Sequence, residues 1–119
     1  MIQKGSYIIP TDKNGVWNVC VFHIFGGFQK KYGKSGSFLK TSVKKLRNKK
    51  WLYKKAKISA ILIQTKYFIK KNDEFYLKFK INSCILLKKR LTPIGKLING
   101  PSIFSLKRKK FIYSFLGTL

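Results

Sequence analysis

Phe38-Leu39-Lys40-Thr41-Ser42-Val43-Lys44 sets Leu39, Thr41 and Val43 at every second position, with Lys40, Ser42 and Lys44 between them. Successive side chains of a β-strand point to opposite faces. This spacing therefore puts one face in a core and leaves the other to solvent or a charged partner. The same period returns where Phe75, Leu77, Phe79 and Ile81 alternate with Tyr76, Lys78 and Lys80, the clearest two-residue repeat in the chain.

Outward from these two stretches, β-branched and aromatic runs are broken by Gly, Asn, Pro and Lys clusters, which predicts a chain of short strands. They fall at 7–10, 17–25, 38–44 and 58–69, then through the 75–81 alternation, and end with a last strand at 83–87. Asp12-Lys13-Asn14-Gly15 reads as a turn, because Asn-Gly accepts the positive φ angles of tight turns. Gly26-Gly27 closes the second strand, and Asn72-Asp73-Glu74 makes another turn. Residues 45–57 form a basic loop or hairpin tip around Trp51 and Tyr53. After Lys88-Lys89-Arg90 the composition changes; Pro93, Gly95, Gly100 and Pro101 mark a loop, and 102–110 suit a short helix with Pro101 at its first turn. About six short strands and one small helix give a mainly β protein, a small barrel with a helical appendage. The length allows a single domain over 1–119, with the barrel and its basic loop in 1–92 and a C-terminal loop and helical segment in 93–119.

Charge decides the class of partner. Lys and Arg number 27 against three acids, Asp12, Asp73 and Glu74, for a formal charge of +24. Such a charge repels itself across a small domain, so a polyanion is expected to hold the fold together. The cations do not form a tail, and 45% apolar and 15% aromatic residues exclude a disordered basic arm. The clusters are Lys30, Lys31, Tyr32 and Lys34; Lys44, Lys45, Arg47, Lys49, Lys50, Lys54 and Lys55 around Trp51; Lys66, Lys70 and Lys71; Lys88, Lys89 and Arg90; and Lys107, Arg108, Lys109 and Lys110. One such cluster is ordinarily a solvated face. Five with almost no acids to balance them point to phosphate neutralisation, and ribosomal RNA is the leading polyanion. Trp51 and Tyr53 suit stacking on unpaired bases, or equally capping a barrel end or packing on a neighbouring protein.

Other chemistries find little support. Gly27 and Gly33-Lys34-Ser35 imitate a phosphate-binding loop, but five residues separate the glycines where the motif has four, and a strand follows where it needs a helix. One His and three acids give general acid–base catalysis no positioned pair, so no enzyme and no cofactor are expected. Cys20 and Cys84 lie in hydrophobic runs and read as reduced, buried thiols; with no CxxC pair, a metal site is not expected. His23 reads as a strand residue. The best apolar runs, 58–63 and 111–116, fall far short of the roughly 20 residues of a spanning helix. Apolar residues alternate in strands and form no single amphipathic helix face, which disfavours a membrane-active cationic protein.

The opening Met1-Ile2-Gln3-Lys4-Gly5 has no apolar or amphipathic leader, so no N-terminal import signal is expected. Lys supplies 24 of the 27 cations and Ala appears only twice, while Ile, Phe, Asn and Tyr abound. This usage favours AT-rich codons and suits an organelle's own genome.

The ordered series of motifs resembles the universal large-subunit ribosomal protein L-fourteen family of bacterial type. It runs from Met1-Ile2-Gln3 and Asp12-Lys13-Asn14-Gly15 through Cys20, Gly26-Gly27 and Lys30-Lys31-Tyr32. It continues with Ile63-Gln64-Thr65-Lys66, with Phe79 and Asn82-Ser83-Cys84-Ile85-Leu86-Leu87, and with Pro93-Ile94-Gly95 and Gly100-Pro101. The resemblance covers essentially the whole chain. It implies a closed five-stranded β-barrel with a β-ribbon or hairpin and short C-terminal helices. It also implies binding to large-subunit rRNA, contact with a ribosomal protein of the L-nineteen family, bridging to small-subunit rRNA, and docking of a ribosome-silencing factor. By position, the interface corresponds to Gly95, Lys96, Leu97, Gly100, Pro101, Phe104, Lys107 and Arg108. The chain departs from the family where Lys96-Leu97-Ile98-Asn99 replaces Thr-Arg-Ile-Phe and Phe104-Ser105-Leu106-Lys107 replaces Arg-Glu-Leu-Arg. Acids are lost throughout, a drift that suits a mitochondrial ribosome first and a plastid-type or AT-rich bacterial one second. A free-standing OB-like barrel acting on single-stranded nucleic acid is the alternative reading.

Overall fold

The computed structural model describes residues 2–11, 15–47, 55–70, 76–90, 92–94, 98–102 and 115–118. Nine strands appear among them: β1 (Tyr7–Pro10), β2 (Val16–Ile24), β3 (Phe38–Leu46), β4 (Lys57–Gln64), β5 (Ile69–Lys70), β6 (Tyr76–Leu77), β7 (Ser83–Leu87), β8 (Ile98–Ser102) and β9 (Phe115–Thr118). The closed barrel runs β1-β2-β3-β4-β7 and shuts where β7 pairs in parallel with β1. A five-stranded closed barrel is the architecture the family resemblance implies.

The opening alternation behaves as read. In β3, Leu39, Thr41 and Val43 are buried, while Lys40 and Ser42 are half-buried and Lys44 is exposed. Inside the barrel, Ile8, Val19, Val21, Leu39, Val43, Ala60, Leu62, Cys84 and Leu86 form one apolar cluster. Thr41 lies there too, its hydroxyl donating to the Ile58 carbonyl at 2.9 Å, so its burial leaves no polar group unpaired.

β4 and β7 depart from the half-buried pattern, and both are buried on two faces. Ile58, Ala60, Leu62, Cys84 and Leu86 point into the barrel. Ile61, Ile63, Ile85 and Leu87 point outward and form a second cluster with Phe79, against which Phe38, Ile69 and Leu77 pack. The cover is the antiparallel ribbon β5–β6, in which Ile69 faces Leu77 and Lys70 faces Tyr76. Continuous apolar runs such as Ser83-Cys84-Ile85-Leu86-Leu87 are what a strand with two covered faces requires.

Several expectations change. The run 58–69 is two strands: Thr65 to Phe68 leave the barrel, and Lys66 N–H donates to Asn82 Oδ1 at 2.8 Å where the chain turns into the ribbon. Within the described residues 76–81 only Tyr76–Leu77 is strand, as β6, and Phe79 fills the second cluster instead of continuing the pairing. Ser83–Leu87 is not the last strand. Gly100 and Pro101, read as loop, and Ser102, read as the start of a helix, lie in β8, which pairs in parallel with β9. Pro101 fits a strand that has a neighbour on one side only, since it supplies no N–H. Cys84 is buried as expected, but Cys20 is only half-buried: Val19 and Val21 take the interior positions of β2, leaving Cys20 on the outer face opposite Tyr7. His23 is a strand residue, exposed and edge-on to the Phe25 ring at 4.9 Å. The turns at 12–14 and 72–74, Trp51 and Tyr53, and the short helix of 103–110 lie outside the described residues.

Candidate nucleic-acid interface

Register sorts the linear clusters onto the two ends of the barrel. β3 runs antiparallel to β4 with Ser42 opposite Lys57, and β4 runs antiparallel to β7 with Ser59 opposite Leu87. The end of β3, the start of β4 and the end of β7 therefore lie together. Lys44, Lys45, Arg47, Lys55 and Lys57, all exposed, thus share one end with Lys88, Lys89 and Arg90. Backbone bonds hold both tips: Arg47 N–H donates to the Gly15 carbonyl at 2.7 Å, Lys55 N–H to the Val43 carbonyl at 2.8 Å, and Lys88 N–H to the Thr92 carbonyl at 2.8 Å.

The opposite end carries Lys30, Lys31, Tyr32 and Lys34. Gly33 and Ile2 exchange two backbone hydrogen bonds at 2.7 and 3.0 Å, which draws the N-terminal segment against this loop. A shallow groove results, lined by Lys4, Gln29, Lys30, Lys31 and Tyr32 with Gln3. Lys31 and Lys34 are exposed, Lys30 is half-buried, and the Tyr32 ring is 43% exposed. Gly26 admits the Lys30 side chain: its φ is +114°, and a Cβ there would stand 2.9 Å from Lys30 Nζ. Lys66 belongs to this end as well, since the Ser35 and Thr65 hydroxyls lie 3.4 Å apart.

Lys70 lies on the ribbon, in β5 opposite Tyr76. Of the remaining predicted positions, Lys49, Lys50, Trp51, Lys54 and Lys71 lie outside the described residues, as do Gly95, Lys96, Leu97, Phe104, Lys107 and Arg108. Gly100 and exposed Pro101 lie in β8.

The sequence reading left Lys4, Lys78 and Lys80 out of its basic clusters. Lys4 is isolated along the chain and joins a cluster only through the Ile2–Gly33 pairing. Lys78 and Lys80 were legible as the polar half of the 75–81 alternation, and both are exposed.

The chain's three acids, Asp12, Asp73 and Glu74, lie outside the described residues. Groups of His, Cys, Asp and Glu able to hold a metal are absent among the described residues. Cations on both ends of a closed barrel can neutralise phosphates on two sides at once.

A small closed barrel with cations at both ends and an almost acid-free sequence defines a structural protein built for a polyanionic surrounding. The chain belongs to the ribosomal protein L14p/L23e family, whose model matches residues 1–115. It is similar to the large ribosomal subunit protein uL14m of Tetrahymena pyriformis, with 47% identity over 119 residues covering 100% of both chains.

Proposed function

We propose that the chain is a structural constituent of the large subunit of a mitochondrial ribosome, bound to large-subunit rRNA. Family membership along nearly the whole chain carries this reading. The full-length similarity to uL14m and the cationic ends support it. The role is scaffolding: backbone and lysines fix RNA segments against a barrel, and no chemical step is assigned to any side chain.

Within this reading, Lys30, Lys31, Tyr32, Lys34 and Lys66 take phosphates at one end. Lys44, Lys45, Arg47, Lys55, Lys88, Lys89 and Arg90 take them at the other, with Lys49, Lys50, Trp51, Lys54, Lys70 and Lys71 extending the surface. Residues 93–119 face the small subunit through Gly95, Lys96, Leu97, Gly100, Pro101, Phe104, Lys107 and Arg108. Neighbours are a ribosomal protein of the L-nineteen family, small-subunit rRNA and a ribosome-silencing factor. The Lys-rich, Ala-poor usage supports an organelle-encoded chain.

Sedimentation of mitochondrial extract tests the reading. The chain is expected with large subunits, and to stay there through moderate salt. A chain that runs free and exchanges onto added single-stranded oligonucleotide would instead be a free-standing nucleic-acid-binding barrel.

A further inference from the structure

The ribbon β5–β6 has two unlike faces. Ile69 and Leu77 are paired, half-buried, and turned onto the cluster outside β4 and β7. The alternate positions of the same two strands point away from the barrel. Register places Lys70 opposite Tyr76, and just beyond the paired strands Phe68 meets Lys78. Each of these pairs thus joins one aromatic ring to one ammonium, in opposite order. The side chains bear this out: Lys78 Nζ sits 4.9 Å from the Phe68 ring centre, and the Phe68 and Tyr76 rings meet edge to face at 6.2 Å. Tyr67 adds a third ring at the open end, and Tyr67, Phe68, Lys70 and Tyr76 line one shallow groove.

Packing among themselves does not hide these rings. Tyr67, Phe68 and Tyr76 remain 54%, 56% and 65% exposed. A contiguous apolar surface on a small domain marks a place for a partner. The lysines say which kind. The Lys78 ammonium lies over the Phe68 ring, 4.9 Å from its centre, and Lys70 pairs with Tyr76 across strands about 4.8 Å apart. A nucleotide separates its base from its phosphate on a similar scale, and it offers a flat π-face to a ring and an anion to a lysine.

We propose that the outer face of β5–β6 is a stacking platform for unpaired nucleotides of rRNA, with Tyr67, Phe68 and Tyr76 taking bases and Lys70 and Lys78 taking the adjoining phosphates. This rests on the rRNA-binding reading above and adds to it a site where bases, not only phosphates, are held.

Ultraviolet crosslinking of intact large subunits, followed by mapping of nucleotide adducts on the digested chain, tests the site. Adducts on Tyr67, Phe68 or Tyr76 are expected. Adducts at Tyr32 or the 88–90 turn with none on the ribbon overturn the platform and leave rRNA binding standing. Lysine-reactive crosslinks from Lys70 and Lys78 to another protein, without nucleotide adducts, overturn it in favour of a protein contact. If the chain neither sediments with large subunits nor carries any adduct, both readings fall.

A second measurement uses the full chain with a 12-nucleotide single-stranded RNA. Tyr67→Leu/Tyr76→Leu keeps apolar bulk on an exposed face and is expected to weaken binding roughly tenfold, with the salt dependence unchanged. Lys70→Gln/Lys78→Gln is expected to flatten the dependence of log K on log salt by about 0.7 for each phosphate lost. Unchanged binding in both variants removes the proposal.

Discussion

Gln64 ties the barrel to the C-terminal strand pair: its Nε2 donates to the carbonyl oxygen of Pro101 at 2.7 Å. Its Oε1 accepts from the Ser83 hydroxyl at 2.8 Å. A serine hydroxyl can serve as donor or acceptor, whereas a carbonyl only accepts, so Pro101 determines which way the amide faces. Gln64 is 5% exposed and Ser83 fully buried, so water does not replace the bond between them if the amide is lost, whereas Pro101 is exposed and its carbonyl can turn to solvent.

Gln64→Met is therefore expected to cost about 1–3 kcal/mol, because it strands the buried Ser83 hydroxyl and releases Pro101. Gln64→Glu restores an acceptor for Ser83 but sets a carboxylate against a carbonyl, and should free β8 as readily as Met does. Denaturant titration in sulfate buffer reads the first effect, and limited proteolysis within 98–118 reads the second. Wild-type protease resistance in both variants would show that the bond does not hold β8.

Gly26→Ala is expected to destabilise by about 1–3 kcal/mol, since φ of +114° is a conformation that L side chains rarely adopt and Lys30 must also shift. Gly33→Ala serves as the contrast. A Cβ there meets Leu39 at 3.5 Å and the Ile2 carbonyl at 3.7 Å, ordinary contacts, so a near-neutral melt is expected. Equal losses in the two variants would contradict the assignment of strain to Gly26.

Ile85→Ala and Leu86→Ala are expected to cost alike, about 2–5 kcal/mol each, although their side chains leave opposite faces of β7. Both side chains are fully buried, Leu86 inside the barrel and Ile85 beneath the ribbon. Were the ribbon not packed there, Ile85 would face solvent and its truncation would hardly register in a denaturant melt.

Self-repulsion from a charge of +24 sets an unusual salt dependence. The melting temperature of the isolated chain is expected to rise as salt shortens the screening length from about 30 Å at 0.01 M to about 3 Å at 1 M. Calorimetry across that range checks it. A monodisperse monomer melting cooperatively at low salt would contradict the requirement for counter-charge.

Lys107→Ala/Arg108→Ala should weaken subunit joining more than incorporation into the large subunit, if residues 93–119 face the small subunit. Sedimentation of free subunits against joined ribosomes separates the two effects. An equal loss of both removes the interface role.

The strands that build the barrel were legible because their pattern is local. Leu39, Thr41 and Val43 alternate with polar residues within seven positions, and Tyr7–Pro10 and Ser83–Leu87 fall where read. The separation of β4 from β5 was not legible. Ile58 to Ile69 has no Gly, Pro or Asn to mark an end, and the break at Thr65 comes from hydrogen bonds to Tyr67, Phe79 and Ser35. β8 was hidden for a related reason: Asn99-Gly100-Pro101 carries loop residues, and its strand character comes from pairing with Phe115–Thr118.

Composition by itself pointed to a polyanionic partner, since net charge is a sum that folding does not alter. Alternation determined a mainly β protein with one face of each half-buried strand in a core, and the ordered motifs indicated the family. Only the tertiary structure decided which lysines act together. Antiparallel register brings Lys44 to Lys57 and Lys88, and the Ile2–Gly33 pairing brings Lys4 to Lys31. The ribbon's base-sized rings became a surface for the same reason. Period two says that Phe68 and Lys70 share a face, but only the packing of Ile69 and Leu77 on the barrel decides that this face is the one turned outward.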